Sequence, residues 1–98
     1  DYRQAGAFAE YVAVPQHIVY RIPDGISFEQ AALIEPFTIA FHAVKRAKPA
    51  INDSVVIIGC GMIGLALLQA LRIAGCGKVF VVDTAADRLE QALKLGAD

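Results

Sequence analysis

The stretch "SVVIIGCGMIG", residues 54–64, constrains this chain more than any other. Val55, Val56, Ile57 and Ile58 are β-branched and show no polar alternation, which reads as a strand buried on both faces of a parallel sheet. Gly59, Gly61 and Gly64 follow. Residues 62–74 then have the pattern of a helix closed by Gly75 and Gly77. "KVFVVD" is a second buried-type strand. "AADRLEQALKLG" is a second helix, with Leu89, Leu93 and Leu95 expected to face inward and Gly96 to stop it. Strand, helix, strand, helix with short links is the doubly wound α/β pattern.

A glycine-rich turn by itself is a weak signal, and it can be purely structural. Its setting here is informative, because a strand precedes it, a helix follows, and Asp83 closes the next strand. Gly59 suits a tight turn. Gly61 suits close approach of a pyrophosphate to bare backbone, and Gly64 suits close packing of helix on strand. Met62 and Ile63 would offer free N–H groups at the positive end of the helix. A carboxylate at Asp83 would accept hydrogen bonds from the adenosine ribose hydroxyls and repel a 2′-phosphate, which favours NAD over NADP. Asp83 also has a structural alternative, as N-cap of the helix behind it.

The segment before the glycine loop reads differently. "GAFAEYVAVP" and "HIVYRIP" are two short strands stopped by Pro15 and Pro23. "PDGIS" is a turn in which Gly25 can take a positive φ. Ser27 has the place of an N-cap, and Gln30 completes a near capping box for a short helix over residues 28–33. Pro36 fits the first turn of another helix running to about Ala47. In "AALIEPFTIAFHAV", residues 31–44, the single charge is Glu35. A carboxylate in so apolar a run calls for a partner, although the first turn of a helix also favours one.

Composition bounds the rest. The chain has 98 residues, 56% of them hydrophobic, and a net charge of −1. So apolar a chain of this length, which buries only about 60–65% of its unfolded surface, is expected to be a piece of something larger. It opens on Asp1 and stops just after "LGAD". The near-neutral charge argues against nucleic acid as a partner. Lys45, Arg46 and Lys48 fit a helix C-terminus. No apolar run reaches the roughly 18 residues of a membrane span. Cys60 and Cys76 lack metal-like spacing and suit a reducing, cytoplasmic setting as free thiols.

Taken together, "GAFAEYVAVP", "IPDGISFEQAALIEP", "GCGMIG", "VVD" and "RLEQALKLGAD", in this order and spacing, resemble the zinc-dependent medium-chain dehydrogenases. The nearest subgroup is that of the polyol and threonine dehydrogenases, including the sorbitol dehydrogenase type. The resemblance covers the whole chain. It implies that residues 1–28 end a GroES-like catalytic domain and that residues 29–98 form the first half of a Rossmann domain. It implies zinc and NAD as cofactors, and hydride transfer from a secondary alcohol to NAD. The substrate would be a small alcohol or polyol, and the protein a homo-oligomer.

Within the chain, the resemblance carries cofactor binding to Gly59, Gly61, Met62, Ile63, Gly64, Asp83 and Arg88, with Arg88 at the adenosine ribose. It carries the catalytic zinc to Glu35, as a direct ligand or through the metal-bound water. It assigns no catalytic residue here. Thr38 matches a small polar position near the nicotinamide. His17 and His42 match no motif position, and Cys60 is a variable loop position expected to pack. The remaining zinc ligands and the second half of the sheet are expected outside the chain. A zinc-independent quinone-reductase-like enzyme and a non-catalytic NAD-binding module remain as alternatives, and Glu35 and Asp83 weigh against the first of these.

Overall fold

The computed structural model describes residues 6–98. Its elements are α1 (Phe28–Ala32), α2 (Ile34–Ala47), β1 (Ser54–Ile58), α3 (Met62–Ile73), β2 (Lys78–Val82) and α4 (Ala86–Lys94), preceded by a single 3₁₀ turn at Gln16–Ile18. β1 and β2 pair in parallel, Ser54 opposite Lys78 and Ile58 opposite Val82. A helix must carry the chain back between parallel strands, and α3 does so. The fold is α/β, as the motif pattern implies.

Local chemistry explains the helix ends. The Ser27 side chain accepts the Gln30 amide at 3.2 Å, and the Gln30 side chain accepts the Ser27 amide at 2.9 Å, completing a capping box. α2 stops at Lys48, which takes a left-handed conformation (φ 51°) ahead of Pro49. α3 stops at Gly75 (φ +90°).

One core holds the unit together. Ile57, Leu68, Leu71 and Val79 are buried with Cys60, Cys76 and Ala92, joining β1, β2, α3 and α4. Each large aliphatic in this set contributes about 1.5–3 kcal/mol of burial free energy. α2 packs on α3 through a seam of Ala40, Ala66 and Ala70, where small side chains let the helices approach, and its Val44 also reaches the main core. Arg72 on α3 donates to the carbonyls of Gly77 and Gly96 and to Asp98. Asp98 in turn accepts the Val79 amide at 2.7 Å and donates its own to the Val79 carbonyl at 3.0 Å. This clamp covers the start of the outer edge of β2.

Three expectations are corrected. The segments "GAFAEYVAVP" and "HIVYRIP" form no strands: beyond the short 3₁₀ turn they are irregular and exposed. An extended segment becomes a strand only by hydrogen-bonding to a neighbour, and no described segment pairs with either. The β1–β2 sheet is covered on one face only. Val55, Ile57, Val79 and Val81 meet the helices, while Val56, Ile58, Phe80 and Val82 are exposed, Ile58 at 88%. α3 and α4 both lie on the first face, and no described element lies on the second. On α4 the inward residues are Leu89 and Ala92; Leu93 and Leu95 are exposed, because the helix reaches the sheet along one narrow stripe.

Candidate nucleotide-binding site

The site lies where the chain leaves the carboxyl ends of β1 and β2. Ligands of open parallel sheets bind beyond this end of the strands. Gly59 turns the chain with φ +98°, a conformation costly for any residue with a Cβ. Its amide still continues the ladder, donating to the Val82 carbonyl at 2.8 Å. A Cβ on Gly64 would stand 2.1 Å from the Gly59 carbonyl oxygen. The glycine at 64 therefore lets the first turn of α3 close onto the loop backbone itself, with Ile57 just beyond. At Gly61 an added Cβ would meet nothing within 4 Å. It would project into open space, the space an incoming phosphate would need.

Gly61 is the N-cap of α3, and no side chain caps that end. The first helical amide bond to form is Leu65 N–H to the Gly61 carbonyl, at 2.9 Å. The amides of Met62, Ile63 and Gly64 belong to the first turn, which has no intrahelical acceptors for them. Together with the helix dipole they make an anion-binding end. The Met62 and Ile63 side chains point outward and are exposed.

Asp83 stands directly after β2. Its Oδ2 accepts the Cys60 amide at 2.6 Å, and its Oδ1 accepts the Ala85 amide at 2.9 Å. The side chain is only 7% exposed. The Ala85 and Cys60 amides, with a smaller contribution from Arg88, hold its carboxyl below the usual carboxylate range. It is ionised at neutral pH. The cap of α4 is Ala85, without a side-chain bond, so Asp83 serves the turn before α4 rather than the helix end. Arg88 Nη1 lies 3.8 Å from Asp83 Oδ2 and remains 56% exposed. A cleft of about 360 Å³ opens here, lined by Ile58, Gly59, Val82, Asp83, Thr84 and Arg88. It presents two apolar strand ends, an anionic acceptor and a cation. That set suits an adenosine, with base against the apolar ends and ribose hydroxyls donating to the carboxylate.

Cys60 packs as expected, at 1% exposure. Burial, and then the Asp83 charge, push its thiol pKa up. Its amide contact with Asp83 was not legible in the motif. The only available hint is that any residue at this place presents an N–H. Thr84 is a second lining residue that the motif does not announce.

Glu35 and Thr38 lie elsewhere, on the first turns of α2. Glu35 is exposed, and its carbonyl accepts the Thr38 hydroxyl at 2.6 Å. Thr38 lines a separate apolar groove of about 350 Å³ with Leu33, Ile34, Phe37, Phe41 and Gln30. No residue is common to this groove and the cleft. Among the described residues no three His, Cys, Asp or Glu side chains gather to hold a metal. Glu35 alone is too few donors for a four-coordinate zinc. His17 and His42 are exposed. No described helix is long and apolar enough to cross a membrane.

The chain is similar to known proteins. The chain is 39% identical over 92 residues to the (R,R)-butanediol dehydrogenase of Bacillus subtilis, covering 94% of this chain and 27% of that protein. It is 42% identical over 92 residues to the sorbitol dehydrogenase of the same organism, covering 94% and 26%. Among solved structures, one described as a short chain alcohol dehydrogenase from Escherichia coli, in complex with NADH, superposes with a TM-score of 0.90 at 39% identity, over 96% of this chain and 28% of that one. Galactitol-1-phosphate dehydrogenase from Escherichia coli gives 0.87 at 37% identity, over 97% and 28%. The chain thus spans about a quarter of the length of the relatives it matches. No family model matches it.

Proposed function

The chain belongs to the medium-chain dehydrogenase family, among the sorbitol, butanediol and xylulose dehydrogenases, and from that membership we propose that its glycine loop and Asp83 hold NAD in an enzyme that oxidises a small secondary alcohol or polyol. The observation that carries the reading is the placement of the Asp83 carboxylate at the cleft, ionised and within reach of the loop amides. NAD fits the residues present. Gly61 leaves room before the open end of α3, where Met62, Ile63 and Gly64 amides would meet the pyrophosphate. Asp83 would accept from both adenosine ribose hydroxyls, and Arg88 would lie along the same ribose. A relative solved with NADH supports the choice of cofactor.

In this reading residues 29–98 are the first half of a Rossmann domain, and residues 1–28 close a GroES-like catalytic domain. Glu35 belongs to the catalytic zinc, directly or through its bound water. The donor set fits only in part, since the other ligands would have to come from outside this chain, which spans about a quarter of its relatives' length. Zinc, when bound, would polarise the alcohol oxygen. This chain's own residues bind and orient the dinucleotide. The protein is cytoplasmic and homo-oligomeric in this proposal, and its partner is a small molecule rather than a nucleic acid or a membrane.

The test is a titration of the whole enzyme with NAD and with NADP, followed by an assay of reduced nicotinamide formation over a panel of secondary alcohols and polyols. Binding of NAD with preference over NADP, and turnover of at least one such alcohol, is the expected result. Absence of NAD binding removes the proposal. Binding without turnover of any alcohol leaves a non-catalytic NAD module instead.

A further inference from the structure

The cleft contains a contact that cofactor selectivity does not require. The Cys60 N–H donates to Asp83 Oδ2 at 2.6 Å, across a sequence separation of 23 residues. Cys60 is held a second time through its side chain, with Sγ 3.4 Å from the Arg88 carbonyl oxygen. The middle of the glycine loop is thereby tied to the end of β2 and to α4. Its neighbours are held by backbone bonds alone: the Gly59 amide donates to the Val82 carbonyl at 2.8 Å, and the Gly61 carbonyl accepts the Leu65 amide at 2.9 Å. Among residues 59–61, Cys60 is thus the one whose amide is held by a side chain from another element.

We propose that Asp83 is a positioning residue for the phosphate-binding loop: its carboxylate holds the Cys60 amide and so sets where the backbone of residues 59–61 meets the pyrophosphate. This rests on the reading of the loop as the NAD site. The geometry requires a carboxylate in particular. Oδ2 takes the Cys60 amide and Oδ1 takes the Ala85 amide, so two acceptors face two N–H donors. An asparagine has one acceptor oxygen, and its NH₂ group would oppose one of those donors. Asp83→Asn keeps the shape and breaks the arrangement.

The consequence is a test in which two roles predict opposite signs. Inorganic pyrophosphate carries no ribose. If Asp83 served the ribose alone, removing its negative charge would leave pyrophosphate binding unchanged or strengthen it. Loop positioning predicts a weaker site, with the pyrophosphate dissociation constant of Asp83→Asn raised about tenfold, as for loss of one hydrogen bond to a charged group. Equal or tighter pyrophosphate binding by Asp83→Asn overturns the proposal.

A second readout needs no nucleotide. The chain has two cysteines, Cys60 and Cys76, so labelling with ¹⁵N-cysteine gives two amide signals. In Asp83→Asn the Cys60 amide proton should lose its downfield position while that of Cys76 stays. If the variant does not fold, acid titration of the unaltered chain decides. The Cys60 amide proton should move with the protonation of Asp83, whose ionisable neighbours are the Arg88 guanidinium, which stays charged, and the Cys60 thiol, which stays neutral. A Cys60 amide signal indifferent to Asp83 in either experiment overturns the anchor. Failure of the unaltered protein to bind NAD would instead overturn the nucleotide reading, and the amide signal would still judge the anchor.

Discussion

The Asp83 carboxylate and the Cys60 backbone amide stand 2.6 Å apart, joining the end of β2 to the glycine loop that leaves β1. The parallel pairing of β1 and β2 makes this possible. Ile58 lies opposite Val82 in the register, so the residues that follow each strand emerge side by side.

The proposed NAD site assigns cofactor choice to the same carboxylate. Asp83→Ser should lower catalytic efficiency with NAD by about tenfold to hundredfold, the range for lost hydrogen bonds to a charged group. NADP should gain relative to NAD, because Arg88 lies 3.8 Å from the vacated position and suits a phosphate. Steady-state kinetics with both cofactors check this. Equal efficiency with NAD and NADP in the unaltered protein would refute the assignment.

Stability should fall in acid through two carboxylates. The Ala85 and Cys60 amides lower the Asp83 pKa, and the Val79 amide and then Arg72 lower that of Asp98. Each group's folded value lies below its unfolded value of about 3.9. Each contribution is thus fully present above about pH 5 and is lost as pH falls through the folded value. Thermal melts across this range should show a steeper acid limb for the unaltered chain than for Asp83→Asn or Asp98→Asn. Superimposable pH profiles would count against both contacts.

Gly64→Ala places a Cβ 2.1 Å from the Gly59 carbonyl oxygen. Backbone has to move, at a cost of about 1–3 kcal/mol by analogy with overpacked cores. The denaturation midpoint should fall accordingly, and NAD binding should weaken together with it, since the atom displaced belongs to the loop. Unchanged stability would mean that the loop and α3 do not approach as closely as described.

Glu35 is exposed and makes no ion pair among the described residues. Glu35→Ala should therefore change stability by no more than about 0.5 kcal/mol, as for other surface positions. In the whole enzyme the same change should reduce both zinc content and turnover. Metal analysis beside an activity assay separates the two roles: full activity with normal zinc ends the zinc assignment.

The open sheet face of Val56, Ile58, Phe80 and Val82 should drive self-association of the 98-residue chain. Analytical ultracentrifugation should find association that Phe80→Lys or Val56→Lys reduces. A monomer at every concentration, before substitution, would contradict this.

Local signals were legible wherever the physics is local. Ser27 and Gln30 announce the start of α1 because the capping box closes within four residues. The β-branched runs announce β1 and β2, and Gly59 and Gly64 are glycines for reasons of φ and of contact between near neighbours. These features determined the α/β class, the order of elements and the place of the cleft.

Tertiary structure decided what depends on distant partners. The residues of "GAFAEYVAVP" have strand chemistry but no ladder to join. The apolar runs of β1 and β2 cannot reveal how many faces are covered, because that depends on which side α3 and α4 return. Leu93 and Leu95 carry an inward pattern, yet the stripe that reaches the sheet passes through Leu89 and Ala92. Arg72 with Asp98, and Cys60 with Asp83, lie 26 and 23 residues apart and meet only when helix and strand have packed. A hydrogen bond between such residues leaves no periodic trace in the chain, so only the folded backbone shows that the Asp83 carboxylate meets the glycine loop.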